Sequence, residues 1–186
     1  MKMAKIGETE KGGVCRLALT DVDKEARDLF VEWCEDSGCK VTVDEMGNIF
    51  GRREGKNSSL APVMTGSHID SQPTGGKFDG AYGVLAGLEV LESAEDIGLV
   101  TKRPLEFVAW TNEEGGRFQP ATMGSGVYSG AMDYNSMLNV CDSSGVSVKS
   151  VLPGALSATP DAQKRSFGSP MAAYIEAHIE QGPILE

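Results

Sequence analysis

The stretch LAPVMTGSHIDSQPTGGKFDGAYGVLAGLEVL, residues 60–91, changes its hydrophobic period once, and that change decides the fold. Residues 60–67 follow a polar loop at 54–59 and form a short apolar run, as a buried strand does. A Gly/Pro-rich connection then extends to Gly80. From Ala81 onward, Val84, Leu85, Leu88 and Leu91 recur at helical spacing and make one apolar stripe. Strand, loop and helix in this order are the first half of a parallel βαβ unit.

The alternation continues on both sides. Residues 20–38 read as a helix that Thr20 or Asp21 can cap, with Val22, Ala26, Phe30, Trp33 and Cys34 at helical spacing and Gly38 at its end. Residues 40–44 and 48–52 read as two short strands joined by the turn Glu45-Met46-Gly47. Residues 105–110 are a further strand. Residues 131–170 are Ser/Gly-rich with weak apolar patches, predicting short helices and loops, and residues 172–179 form a last strand. No internal repeat is present. The expectation is an α/β fold whose mixed, largely parallel central sheet is flanked by helices, with ligands gathering beyond the carboxyl ends of the strands.

Composition bounds the function. The 186 residues, 40% of them hydrophobic, suffice for one ordinary domain with a sizeable core. A net charge of −10 with no Lys/Arg run argues against nucleic acid or an anionic membrane as partner. The first residues lack the apolar core of a signal peptide, and no apolar run approaches transmembrane length. Cys15, Cys34, Cys39 and Cys141 are scattered without a CxxC pair and read as the reduced thiols of a cytoplasmic protein. The gap between Cys34 and Cys39 spans a helix end, which disfavours them as a metal-chelating pair.

Four motifs carry candidate chemistry. His68 and Asp70 form an H-x-D pair at a strand end, where residues i and i+2 project to one side and a carboxylate can orient the imidazole. Taken alone, the pair is better explained by a satisfied surface histidine. Asp79 precedes the apolar helix, where it can serve as N-cap, or as a carboxylate bridging two cations, or as both. Glu113 and Glu114 are adjacent at a strand end, and two neighbouring carboxylates repel unless a cation or a shared proton offsets the charge. One suits a metal and the other general-base work, although a solvated loop pair is an equal reading in isolation. In YIEAHIEQG, residues 174–182, strict alternation places Glu176, His178 and Glu180 on one face, a costly arrangement unless that face meets a site, or water along an exposed edge.

Together these residues make a nitrogen/oxygen donor set suited to zinc, manganese or cobalt. No Walker or dinucleotide glycine pattern is present, and Gly124-Ser125-Gly126 is not a G-x-S-x-G nucleophile elbow.

Three long motifs then occur in one order: TGSHIDSQPTGGKFDGAYGVLAGLEVLE, FVAWTNEEGGRFQPATMGSG and YIEAHIEQGPILE. In this they resemble the M20-type metal-dependent amidohydrolases, most closely the hydantoinase/carbamoylase branch of N-carbamoyl-amino-acid hydrolases, β-ureidopropionases and allantoate amidohydrolases. The resemblance runs from about Leu17 to the last residue. It implies two divalent metal ions, zinc foremost, with manganese, cobalt or nickel as alternatives. His68 and His178 would hold the first metal, with Asp70 orienting His68. Asp79 would bridge the two metals, Glu114 would ligate the second, Glu113 would be the general base, and Gln181 would reach the substrate. The implied reaction is hydrolysis of a small ureido substrate to an amino acid, ammonia and carbon dioxide.

Members of that family are roughly twice as long, with a lid and dimerisation domain, a homodimeric assembly and a further histidine ligand in the distal part. The expectation is therefore that residues 1–186 are the N-terminal portion of the catalytic domain, without the lid, and have little activity alone. An aminoacylase or dipeptidase of the same superfamily, or a non-catalytic remnant, are the alternatives. His178, where such peptidases more often carry a carboxylate, favours the carbamoylase branch.

Overall fold

The computed structural model describes residues 2–157, 159 and 162–180. A 3-10 turn at Met3–Lys5 is followed by α1 (Asp21–Asp36), β1 (Lys40–Val43), β2 (Ile49–Arg53), β3 (Val63–His68), α2 (Ala81–Asp96) and β4 (Leu105–Trp110). Then come α3 (Met123–Ser129), α4 (Tyr134–Leu138), α5 (Val148–Leu156), β5 (Gln163–Lys164) and β6 (Ala173–Ile175). The strands form one sheet in the order β5-β1-β2-β4-β3-β6. The pairs β1–β5, β3–β4 and β3–β6 are parallel, whereas β1–β2 and β2–β4 are antiparallel. The sheet is thus mixed, with its parallel part centred on β3.

Alternation along β4 divides the core between the two faces. Phe107 and Ala109 pack with Ala26, Phe30 and Cys34 of α1 and with Val84, Leu88 and Leu91 of α2. Val108 and Trp110 turn to the other face, where Phe50, Met64 and Tyr128 surround them. A further cluster joins α3 and α5 through Met123, Val127, Val148 and Leu152, with Leu19, Met46 and Phe118 between them. Among the described residues no helix is long and apolar enough to cross a membrane.

The α1 cap is Thr20, whose side chain accepts from the Asp23 amide at 3.2 Å. Three elements differ from the sequence reading. The 60–67 strand begins only at Val63 and reaches His68. The segment 123–129, to which the sequence reading gives no element, forms α3 and is held by tertiary contacts. The Gly124 amide donates to Thr111 O at 2.8 Å, and Val127 and Tyr128 are buried. The final strand is three residues long, since only Ala173–Ile175 pair with β3.

A buried polar network secures the exit of β4. The Asn48 amide oxygen accepts from the Thr111 N–H at 2.9 Å, and its nitrogen donates to Asp44 Oδ2 at 2.7 Å and to Gly124 O at 3.0 Å. Arg27 Nη2 donates to Thr111 Oγ1 at 2.8 Å while its Nε pairs with Asp23 at 2.9 Å. Asn48 is fully buried, so truncation strands partners that cannot turn to water. Asn48→Ala is expected to lower the unfolding free energy by about 3 kcal/mol, read from urea denaturation; a loss under about 1 kcal/mol would show the network to be dispensable.

Candidate metal centre

Parallel pairing sets the site, because β3 and β4 end side by side with His68 opposite Trp110. The chain beyond each strand therefore leaves from the same edge of the sheet, as expected for parallel strands. His68 is the last residue of β3, and Asp79 stands just before α2. Glu113 and Glu114 follow β4, and His178 comes from the segment after β6.

The ring of His68 is 1% exposed, and its Nδ1 lies 2.9 Å from the Asp70 carbonyl oxygen. That carbonyl only accepts, so in the neutral ring Nδ1 carries the proton and Nε2 presents a lone pair. His178 repeats the arrangement, with Nδ1 at 2.6 Å from Ile179 O. The two Nε2 atoms face each other at 3.3 Å. Glu113 Oε2 lies 3.3 Å from His68 Nε2, and Asp79 Oδ1 lies 3.6 Å from His178 Nε2. Nitrogen and oxygen atoms that can each give an electron pair thus converge here. Donors each about 2.0–2.1 Å from one tetrahedral ion stand about 3.3–3.4 Å apart, so the two imidazole nitrogens, with Asp79 beside them, fit a divalent cation in spacing as well as in chemistry. Ligand atoms of His68, Asp79 and His178 all fall within 4.8 Å of one another.

Glu114 lies against Asp79, with a hydrogen bond between the two side chains. Its Oε2 accepts from Gln72 Nε2 at 3.0 Å, and its buried Oε1 has no hydrogen-bond partner among the described residues. Burial pushes the Glu114 carboxyl above its usual range and neighbouring Asp79 adds to the rise, against lowering by Gln72 and His68. Two carboxyl groups this close suit a cation or a shared proton between them.

Asp70 is placed differently from the simplest reading of H-x-D. Its carboxylate lies 3.8 Å from His68 Nδ1, beyond hydrogen-bond distance, and its carbonyl holds the ring instead. The carboxylate accepts from the main-chain amides of both Glu113 and Glu114 at 3.2 Å. Burial pushes its carboxyl up to about 6, and His68 and the two amides act against that. Asp79 is not the helix cap either. Gly80 holds the cap position without a side-chain bond, and the Asp79 carboxylate faces His178.

Glycines let the parts approach. Gly80 has φ +62°, and a Cβ there would overlap the His68 ring. A Cβ at Gly83 would strike the Ala177 carbonyl, next to His178. Gln72 and Arg16, considered below, are contributors that the motif reading omitted. Gln72 lies within the motif and could have been suspected, whereas nothing in the sequence tied Arg16 to the site. Gln181 lies outside the described residues. His68, Asp79, Glu113, Glu114 and His178 are brought together, with Asp70 beneath them.

Residues 64–186 match the family model described as Peptidase family M20/M25/M40, and the chain belongs to that family, whose members hydrolyse C–N bonds. It is 46% identical to an N-carbamoyl-L-amino-acid amidohydrolase of Rhizobium meliloti, covering all of this chain and 44% of that protein. It is 36% identical to a probable allantoate deiminase of Oryza sativa subsp. japonica, covering all of this chain and 38% of that protein. Among solved structures, a hydantoinase/carbamoylase family amidase of Burkholderia vietnamiensis superposes with a TM-score of 0.93 at 55% identity. That match covers all of this chain and 44% of that one. The chain thus spans less than half the length of these relatives.

Because Gly80 leaves no room for a Cβ, Gly80→Ala is expected to displace the imidazole of His68 and weaken Zn²⁺ binding about tenfold or more by titration calorimetry, with the far-UV spectrum retained. Unchanged affinity would contradict the close packing of Gly80 on His68.

Proposed function

We propose that this chain supplies the metal-holding wall of an amidohydrolase that cleaves the ureido C–N bond of an N-carbamoyl amino acid or a related ureido acid. The observation that carries the reading is the pair of imidazole Nε2 atoms facing each other at 3.3 Å, flanked by the Glu113 and Asp79 carboxylates. The names of its relatives supply the substrate class. Two divalent cations, zinc foremost by its preference for nitrogen and oxygen donors, are the proposed cofactors. His68 and His178 would hold the first and Glu114 the second, with Asp79 between them.

A ureido carbon is poorly electrophilic because both nitrogens donate into it. When bound, the cations supply Lewis acidity that polarises the ureido oxygen and eases ionisation of the attacking water. The chain's own residues then have distinct tasks. Glu113 takes a proton from that water at its carboxylate and delivers it to the departing amino nitrogen. Water oxygen bonds to the ureido carbon as the C–N bond breaks, and the carbamic acid released decomposes to ammonia and carbon dioxide. Asp70 fixes the main chain from which Glu113 and Glu114 project, and Gln72 steadies Glu114.

The chain is proposed to be the N-terminal portion of the catalytic domain of a longer, dimeric, cytoplasmic enzyme. Its cysteines Cys15, Cys34, Cys39 and Cys141 are all free thiols, which agrees with that compartment. Substrate-binding groups and a further ligand for the second cation are proposed to come from the part of the relatives that lies outside the match.

Cobalt titration followed in the visible spectrum tests the site. The wild-type chain is expected to take up the ion, and His178→Ala is expected to lose at least about 90% of that uptake, as the removal of a first ligand should. No uptake by wild type would sink the metal reading. In an ammonia-release assay with N-carbamoyl-L-amino acids and Zn²⁺ or Mn²⁺, the 186-residue chain is expected to stay at background. Sustained turnover would show that this wall suffices.

A further inference from the structure

Arg16 is 1% exposed, yet no carboxylate meets its guanidinium at hydrogen-bond distance among the described residues. Its partners are main-chain carbonyls. Nε donates to Ile69 O, and Nη1 donates to Met3 O at 3.2 Å and Ile6 O at 2.8 Å. The arginine main chain grips the neighbouring residue as well. Its amide donates to Ser71 Oγ at 2.8 Å, and its carbonyl accepts from the Ser71 amide at 2.9 Å. Residues 69 and 71 are thereby held on either side of Asp70.

Burying a charge that only neutral carbonyls receive is costly, and a structural anchor of the N-terminal segment needs no cation. Against that cost of burial, the charges of Asp23 and then of Asp70 act on the cation through space. Asp70 is also where the site is assembled. Its carbonyl sets the His68 tautomer, and its carboxylate fixes the Glu113 and Glu114 amides. Val14 and Gly75, paired through both main-chain bonds at 2.9 and 3.0 Å, extend the same clamp along the loop towards Asp79.

Resting on the metal reading above, we infer that Arg16 is a positioning residue of the metal centre: by holding residues 69–71 it fixes the carbonyl that orients His68 and the carboxylate that seats Glu113 and Glu114. Arg16 touches neither cation nor substrate. It acts through the turn that follows β3.

The test compares Arg16→Met with Ile6→Ala, which loosens apolar packing at the other end of the clamp but removes none of the hydrogen bonds that Arg16 makes to residues 69 and 71. Two readouts are taken on the 186-residue chain, which contains only two histidines. The first is the ¹⁵N–¹H correlation of the imidazoles in metal-free protein, where wild-type His68 is expected to show the Nδ1–H form. Arg16→Met is expected to mix the two tautomers, whereas Ile6→Ala is expected to keep the wild-type pattern. The second is the Zn²⁺ dissociation constant, expected to rise about ten- to a hundredfold in Arg16→Met and less than about threefold in Ile6→Ala. Equal effects of the two variants on both readouts, scaling with their loss of thermal stability, overturn the inference in favour of a merely structural arginine. If Arg16→Met does not fold, Arg16→Lys replaces it, keeping the charge but losing the planar fork. A partial shift of the His68 pattern in that variant supports the inference, and a wild-type pattern overturns it. Should wild type bind no cation, the metal reading fails, and the tautomer readout alone decides whether Arg16 positions His68.

Discussion

The carboxylate of Asp70, accepting the amides of Glu113 and Glu114, is the interaction on which the site depends. It is 2% exposed and joins the exits of two neighbouring parallel strands, a distance of more than forty residues along the chain. Without such a tie, two adjacent glutamates at a strand end would splay towards water, since like charges gain nothing by sharing a wall. With it, the main chain of both glutamates is fixed from below by a group that can only accept. Their side chains are left to face the imidazoles and Asp79.

The apolar layers exist to make that tie possible. β3 and β4 are covered on one face by α1 and α2 and on the other by the cluster around Phe50 and Tyr128, so both strands are buried along most of their length. Buried backbone must find partners, and here it finds side chains near the strand ends: Asn48, just before β2, for the Thr111 amide and Ser71, beyond β3, for the Arg16 amide. Polar groups in the interior thus sit where the sheet stops and the site begins. The same groups that satisfy the fold's hydrogen bonding hold the loops that carry His68, Glu113 and Glu114.

Much of this was legible in the sequence, and the physics of each element explains why. The strand at residues 105–110 and the helix from Ala81 have strong, single-period patterns, so local preference and burial agree. His68, Asp79, Glu113, Glu114 and His178 were candidates by residue type and place, each with an ordinary explanation alone, and it was the resemblance to the amidohydrolases that joined them into one set. What escaped the reading was set by long-range contact. α3 has a sequence that favours no helix and exists because Thr111, Asn48 and the apolar cluster receive it. The i, i+2 rule makes Asp70 the imidazole's carboxylate partner, but it holds only while the extension continues. β3 ends at His68, the chain turns, and the carbonyl takes the ring while the carboxylate swings to the other loop. Arg16 lies in irregular chain with no periodicity to mark it.

The two imidazoles are held with unequal firmness, which bears on how the centre is built. His68 is buried, and its strand is paired on both sides, with Arg16 and Ser71 securing the turn beyond it. His178 is 37% exposed and follows a strand of only three residues at the sheet edge. Its place depends on the close pass of Ala177 over Gly83, where a side chain would push the segment away, and on the contact between its Nδ1 and Ile179 O. Among the described residues, few main-chain bonds hold the segment that carries it. Bringing two lone pairs to 3.3 Å of each other on a rigid frame would be costly in the metal-free protein, because electron pairs repel. The contacts that hold the buried wall around Asp70, by contrast, are all made within the protein and need no cation.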